Sequence, residues 1–348
     1  MTMTLQEKLA QKRPFDALGL GEAMLRLSPA HYERIGQGDV FEKRAGGSEL
    51  NVVSGMSLLH LRTGIITKLP HNEIGRFVKN RIRFCGVSDD YLIFDEDKNA
   101  RLGIYYYEGG SYPRKSAVVY DRANSSFTTL ELSELPEDMY ASTRLFHTSG
   151  ITLALSEHTC ALGVEMLRRF HQAGAVISFD CNYRANLWDE DTARRVITGI
   201  LPYVDVLFVS EETSRRMMAR TGDMQEIMRG YCAQYGISVV ASTARTVVSP
   251  RKHTFTSTLY SAAQDAFFTE APYRNIEVVD RIGSGDAYVA GALYGLLETG
   301  DLARALRYGN AMSAIKNTVP GDLPDSNLAE IERIIADHEN GSQSEMNR

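Results

Sequence analysis

Glu277-Val-Val-Asp-Arg-Ile-Gly-Ser-Gly-Asp-Ala-Tyr-Val-Ala-Gly-Ala-Leu293 joins an apolar run to a glycine-broken turn and then to a small-residue helix whose first turn carries a carboxylate. That order predicts a buried strand, a tight turn and a buried helix, the layout of a phosphate-transfer site at a strand-to-helix junction. Gly283 and Gly285 allow unusual dihedrals and close backbone approach, so amides can converge on an anion where the helix dipole is positive. Asp286 then stands beside the anion hole as a candidate base, with Ser284 between the glycines. Asp is also a favoured N-cap, so a purely capping Asp286 is the competing reading. Paired glycines weigh against it, because a simple cap requires no such backbone approach.

Other nucleotide signatures fail on spacing. No Gly-x-x-x-x-Gly-Lys-Ser/Thr loop is present, and the nearest dinucleotide fingerprint, Gly19-Leu20-Gly21-Glu22-Ala23-Met24, ends in Met where close helix packing needs Gly. The 348 residues, 43% hydrophobic and 24% charged, suit one large α/β unit with a smaller appendage. A net charge of -6 and 9% aromatic content without interleaved basic runs leave no footprint for nucleic acid. Met1 to Arg13 is polar and no apolar run is long enough to span a bilayer, so a cytoplasmic protein is expected. Cys85, Cys160, Cys181 and Cys232 are widely spaced and read as small core residues in a reducing compartment.

Short apolar runs alternate with helical patterns through most of the chain, as repeated βαβ units around a parallel sheet require. Strands are expected at 17–20, 64–68, 145–148, 176–180, 204–209, 238–241 and 259–261. Helices are expected at 49–59, 72–85, 156–173, 191–200, 210–220, 225–235, 286–299 and 302–319. Two stretches break the rhythm, 26–44 and 91–127, where Leu102, Ile104 and Tyr106 and then Val118 and Tyr120 alternate as in antiparallel strands. These divide the chain into a core (14–25, 45–90 and 128–338), a small β-layer (26–44 and 91–127) and a frayed tail from about His338 (339–348).

Asp280-Arg-Ile-Gly-Ser-Gly-Asp286 resembles the Asp-Thr-x-Gly-Ala-Gly-Asp signature of the PfkB, or ribokinase-like, carbohydrate kinases, with Arg281 in place of Thr and Ser284 in place of Ala. Ala45-Gly-Gly-Ser-Glu-Leu-Asn51 resembles that family's N-terminal signature. The resemblance runs from about Gly19 to Gly321 and implies a three-layer α/β/α sandwich with a mostly parallel central sheet. It also implies a β-sheet lid that excludes water and pairs two chains into a homodimer. It implies ATP and Mg²⁺, with Asp286 as base, Gly283, Ser284 and Gly285 as the anion hole, and Gly46, Gly47 and Asn51 against the sugar.

Within the family, Gly21-Glu-Ala-Met-Leu-Arg-Leu-Ser-Pro29, Tyr120-Asp-Arg122, Asp180-Cys-Asn-Tyr-Arg-Ala-Asn-Leu-Trp188 and Pro320-Gly-Asp322 are most similar to 2-keto-3-deoxygluconate kinases. By that similarity Tyr105, Tyr120, Arg122 and Arg184 line the acceptor site, where a guanidinium suits a sugar carboxylate. Asn182, Ser210, Thr243, Arg245, Gly283, Gly285 and Asn310 fall to the nucleotide. The family's Asn-x-x-Glu is Ser210-Glu-Glu-Thr213 here, so a Mg²⁺-organising carboxylate is displaced to Glu211 or Glu212, or replaced. A fructokinase or ribokinase type, or a non-catalytic sugar-acid sensor, are the alternatives.

Overall fold

The computed structural model describes residues 3–341. From the N-terminus the chain forms α1 (Leu5–Leu9), β1 (Phe15–Leu20), β2 (Met24–Pro29), β3 (Phe41–Gly46), α2 (Ser48–Leu58), β4 (Thr63–Pro70) and α3 (Glu73–Phe84). Next come β5 (Leu92–Asp95), β6 (Ile104–Glu108), β7 (Ala117–Asp121), β8 (Thr143–Ser149), α4 (Gly150–Ala154), α5 (Glu157–Gln172), β9 (Val176–Asp180) and α6 (Glu190–Ile200). The C-terminal part holds β10 (Val206–Phe208), α7 (Glu211–Arg216), α8 (Met224–Tyr235), β11 (Val239–Ser249), β12 (Lys252–Ser261), β13 (Ala266–Thr269) and β14 (Tyr273–Glu277). It ends with α9 (Ser284–Thr299), α10 (Leu302–Lys316) and α11 (Leu328–Asn340).

The ten-stranded sheet runs β13-β12-β11-β10-β9-β8-β1-β4-β5, with β14 pairing β12. Strands β5 to β11 of that path pair in parallel, and an antiparallel β11–β12 ribbon closes one edge. Period-two alternation puts Ala17, Val176, Val206 and Val239 into one core and Leu18, Ile177, Leu207 and Val240 into the other. α2, α9 and α10 cover the first face through Met56, Ala290 and Met312; α5, α6 and α8 cover the second through Met166, Ile197 and Met228. The three layers follow directly. All four cysteines are free thiols.

The lid is a separate sheet of order β3-β2-β6-β7, antiparallel except where β2 meets β6. Tyr105 and Tyr107 of β6 point to its buried side while Ile104 and Tyr106 are half-buried. Four expectations need correction. β5 pairs in parallel with β4, so 92–95 belongs to the core and the second lid insertion begins after it. Residues 278–280 form no strand; β14 ends at Glu277, and Val279 is exposed. α11 runs past His338, whose ring stacks on Tyr273 at 3.8 Å, so 338–340 is helix; the rest of the expected tail, 342–348, lies outside the described residues. The 210–220 helix is only one and a half turns long, ending at Arg216.

Side-chain oxygens of Asn72, Ser156, Asp189, Asp223, Asp301 and Asn327 cap α3, α5, α6, α8, α10 and α11. α9 differs: its N-cap is Gly283, with no side-chain cap, so its first amides are left for another acceptor.

Candidate active site

Gly283 has φ 80°, and a Cβ there would lie 2.1 Å from the Asp322 carbonyl, so the turn accepts no other residue unstrained. Gly285 differs from expectation: it is helical, and a Cβ would meet nothing within 4 Å. Its missing side chain keeps space open in front of the helix. Asp286 is the third residue of α9 and not its cap, which removes the capping reading. Its carboxylate instead accepts from Ser48 Oγ at 2.8 Å and from Asn51 Nδ2 at 2.6 Å. Both donors come from the first turn of α2, which Gly47 starts with φ 146° against the Glu22 carbonyl. Asn51, which lines the cleft under the lid, is 2% exposed, and its buried Oδ1 has no partner.

Two clefts meet beside this carboxylate, which lines the larger of them. The larger, about 440 Å³, runs under the lid and is lined by Asn51, Tyr105, Tyr120, Arg122 and Asp286. The smaller, about 270 Å³, opens over β10 and is lined by Ser210, Glu212, Thr213, Thr243 and Tyr288. Asp180, Asn182, Arg184 and Gly285 line both. Asp180 ends β9, and Asn182 donates to Ser48 Oγ at 3.0 Å, so the junction lies at the carboxyl ends of parallel strands.

Burial pushes Asp286 up to about 6, against the hydrogen bonds from Asn51 and Ser48 and the attraction of Arg184. Burial and then the Asp286 charge push Asp180 up to about 7. A base must be ionised to accept a proton, so kcat/KM is expected to fall as pH drops through about 6. Arg184→Ala removes a cation that favours the ionised carboxylate, which moves this acid limb to higher pH. An unmoved limb in that variant's pH profile would assign it to another group.

The lid end of the larger cleft is more paired than the sequence suggested. Arg122 donates through Nε to Glu22 at 2.9 Å, with a second, shorter contact, and Ser125 also donates to that buried carboxylate. Tyr105 is 3% exposed and its hydroxyl donates to Asp322, while Tyr120, 44% exposed, stacks obliquely 5.8 Å from it. Gly46 makes room for this pair, since a Cβ would lie 2.3 Å from Asp322 Oδ2. Arg184 is exposed in the cleft and bonds only the Tyr183 carbonyl, at 3.3 Å.

Behind the anion hole Arg26 bridges Asp280 and Asp322 at 2.5 and 2.7 Å, all three almost fully buried. Glu22, Arg26, Ser48, Asp180 and Asp322 are site residues to which the sequence reading assigned no role. All five lie inside strings that carry the resemblance, Ser48 within the glycine-led turn. Nothing local marks their pairing.

At the smaller cleft, Ser210 caps α7 through Thr213, and Glu211 is held by Arg215 on the surface. Asn310 is not brought to either cleft: it is fully buried, accepting from Ser257 at 2.7 Å and donating to Glu270 at 2.6 Å. Among the described residues no group of three or more His, Cys, Asp or Glu could hold a metal. Asp180 and Glu212 are the carboxylates that line the smaller cleft.

An uncapped helix start, a carboxylate with its pKa raised and a second cleft under a lid form a phosphoryl-transfer geometry. The model for pfkB family carbohydrate kinases matches residues 16–327. The chain belongs to that family. This pfkB kinase is 36% identical over 315 residues to the 2-dehydro-3-deoxygalactonokinase of Haloferax volcanii, covering 90% of this chain and 95% of that one. It is 29% identical over 347 residues to the 5-dehydro-2-deoxygluconokinase of Bacillus licheniformis, covering 94% and 97%. The solved 2-dehydro-3-deoxygluconokinase of Thermotoga maritima superposes with a TM-score of 0.88 at 30% identity, covering 92% of this chain and 99% of that one. The chain is thus a carbohydrate kinase with the ribokinase-like fold. No helix among the described residues is long and apolar enough to cross a membrane.

Proposed function

We propose that this kinase transfers the γ-phosphoryl group of ATP to the terminal hydroxyl of 2-keto-3-deoxygluconate, giving the 6-phosphate and ADP. The observation that carries the reading is the Asp286 carboxylate, oriented by Ser48 and Asn51 where the two clefts meet. Asp286 accepts the hydroxyl proton as that oxygen bonds to the γ-phosphorus and the bond to ADP breaks. The amides of Gly283, Gly285 and Asp286, uncapped by any side chain, receive the charge of the transferring group, while that of Ser284 donates to the Arg281 carbonyl at 3.2 Å. Mg²⁺ would supply charge neutralisation for the phosphates, and Glu212 and Asp180, which line the smaller cleft, are the carboxylates that would help hold it.

Arg122 and Tyr120 stand at the lid end, where the sugar carboxylate would lie when the terminal hydroxyl is at Asp286. Arg122 is already shared with Glu22, which holds the guanidinium in place and leaves a fork edge for one more anion. The C4 epimer is a second reading, favoured by the 36% identity to the Haloferax volcanii galactonate-type enzyme.

ADP release with MgATP against 2-keto-3-deoxygluconate, its galactonate epimer, 5-dehydro-2-deoxygluconate, fructose and ribose tests both. Turnover on the 3-deoxy acids is the expected result. Turnover confined to fructose or ribose would overturn the acid pocket, and binding of a sugar acid without turnover would make the chain a sensor.

A further inference from the structure

Arg281 stands where the related motif carries Thr, and the chemistry above makes no use of it. Its guanidinium and that of Arg245, on β11, both line the larger cleft beside Gly283. Both are exposed to the cleft. The charge that acts on Arg245 is Arg281, and both arginines act on His253 of β12. His253 lies one ribbon step from Arg245, is 3% exposed, and leaves its Nδ1 without a partner. Burial and then these two cations push the His253 imidazole down, so it stays neutral and adds no third charge.

Two like charges facing one opening without a counterion repel each other, and an anion entering between them removes that repulsion. Arg281 comes from the turn two residues before Gly283, and Arg245 from the strand that also carries Thr243 of the smaller cleft. The lid-end residues Tyr120 and Arg122, of which only Arg122 is a cation, lie on β7 and just after it, on the other sheet. Asp286 lines the same cleft as both groups. A monocarboxylate is satisfied by one guanidinium fork, whereas a polyphosphate offers oxygens to two.

We infer that Arg281 and Arg245 form a clamp for the phosphate chain of the donor, making this chain selective for nucleoside di- and triphosphates over monophosphates. The clamp rests on the phosphoryl-transfer reading and extends it. It replaces a hydroxyl of the related motif with a fixed charge, so donor affinity depends on salt more steeply than a backbone-amide site would.

The test is calorimetric titration of ATP, ADP, AMP and 2-keto-3-deoxygluconate into wild type, Arg281→Thr and Arg245→Gln, both exposed positions with little bearing on folding. Loss of one charge-assisted contact is expected to weaken ATP and ADP binding about 10- to 100-fold, with AMP and sugar-acid binding unchanged. Unchanged ATP and ADP affinity in Arg281→Thr, or weakening confined to the sugar acid, would overturn the clamp while leaving the kinase reading intact. Wild type that binds no nucleotide at all would overturn both.

Discussion

Asp286→Asn is expected to lower kcat by at least about 100-fold while leaving sugar binding nearly unchanged. The amide keeps the shape of the carboxylate between Ser48 and Asn51, so the α2–α9 contact and the cleft persist. What it loses is the acceptor. An amide cannot take the hydroxyl proton, and its NH₂ faces one of two donors that previously met lone pairs. Uniform binding is spared because the lid end, with Arg122 and Tyr120, is untouched. Steady-state kinetics with separate measurement of sugar affinity checks this, and near-normal turnover would remove Asp286 as the base.

The second large effect is on stability. Arg26→Met is expected to cost about 3–5 kcal/mol, because it leaves the buried Asp280 and Asp322 carboxylates without their shared cation. Burial already pushes Asp322 up, and Arg26 is the charge that opposes this. Without it Asp322 binds a proton more readily, so the deficit is largest at alkaline pH and shrinks as pH falls. Lys316, buried with its Nζ 3.3 Å from the Asp280 and Val319 carbonyls, remains as partial compensation. Urea unfolding at pH 8 and pH 5 checks the size and its pH dependence; a deficit under about 1 kcal/mol at pH 8 would show that the network contributes little.

This network also ties the lid to the chemistry. Arg26 belongs to the lid strand β2 and Asp280 to the turn before the anion hole, while the Asp322 carbonyl packs on Gly283. Tyr105, from lid strand β6, donates to the same Asp322. Lid position and anion-hole shape therefore share one set of buried charges.

Much of the fold was legible because period-two and helical patterns mark local structure. The strand expected at 176–180 matches β9, and the expected helix starts fall within about two residues of α2, α3, α5, α6, α8 and α9. The misses have physical causes. β5 is four residues long and half-buried throughout, with no alternation to declare its sheet, and only its pairing with β4 assigns it. The family resemblance points Asn310 at the nucleotide, and nothing in a helix sequence says which way an amide turns; α10 turns it inward to Ser257 and Glu270.

By itself the sequence determined what depends on neighbours along the chain: the α/β layering, a glycine-broken turn at 283–285, and a carboxylate in the first turn of the helix that follows. Tertiary structure alone decided the partners. Asp286 meets Ser48 across 238 residues, Arg26 meets Asp280 across 254, and Arg122 meets Glu22 across 100. Such pairings carry no periodicity, because they are set by which faces the packed sheet and lid bring together. Burial then raises the pKa of the carboxylate that this packing places at the junction of the clefts.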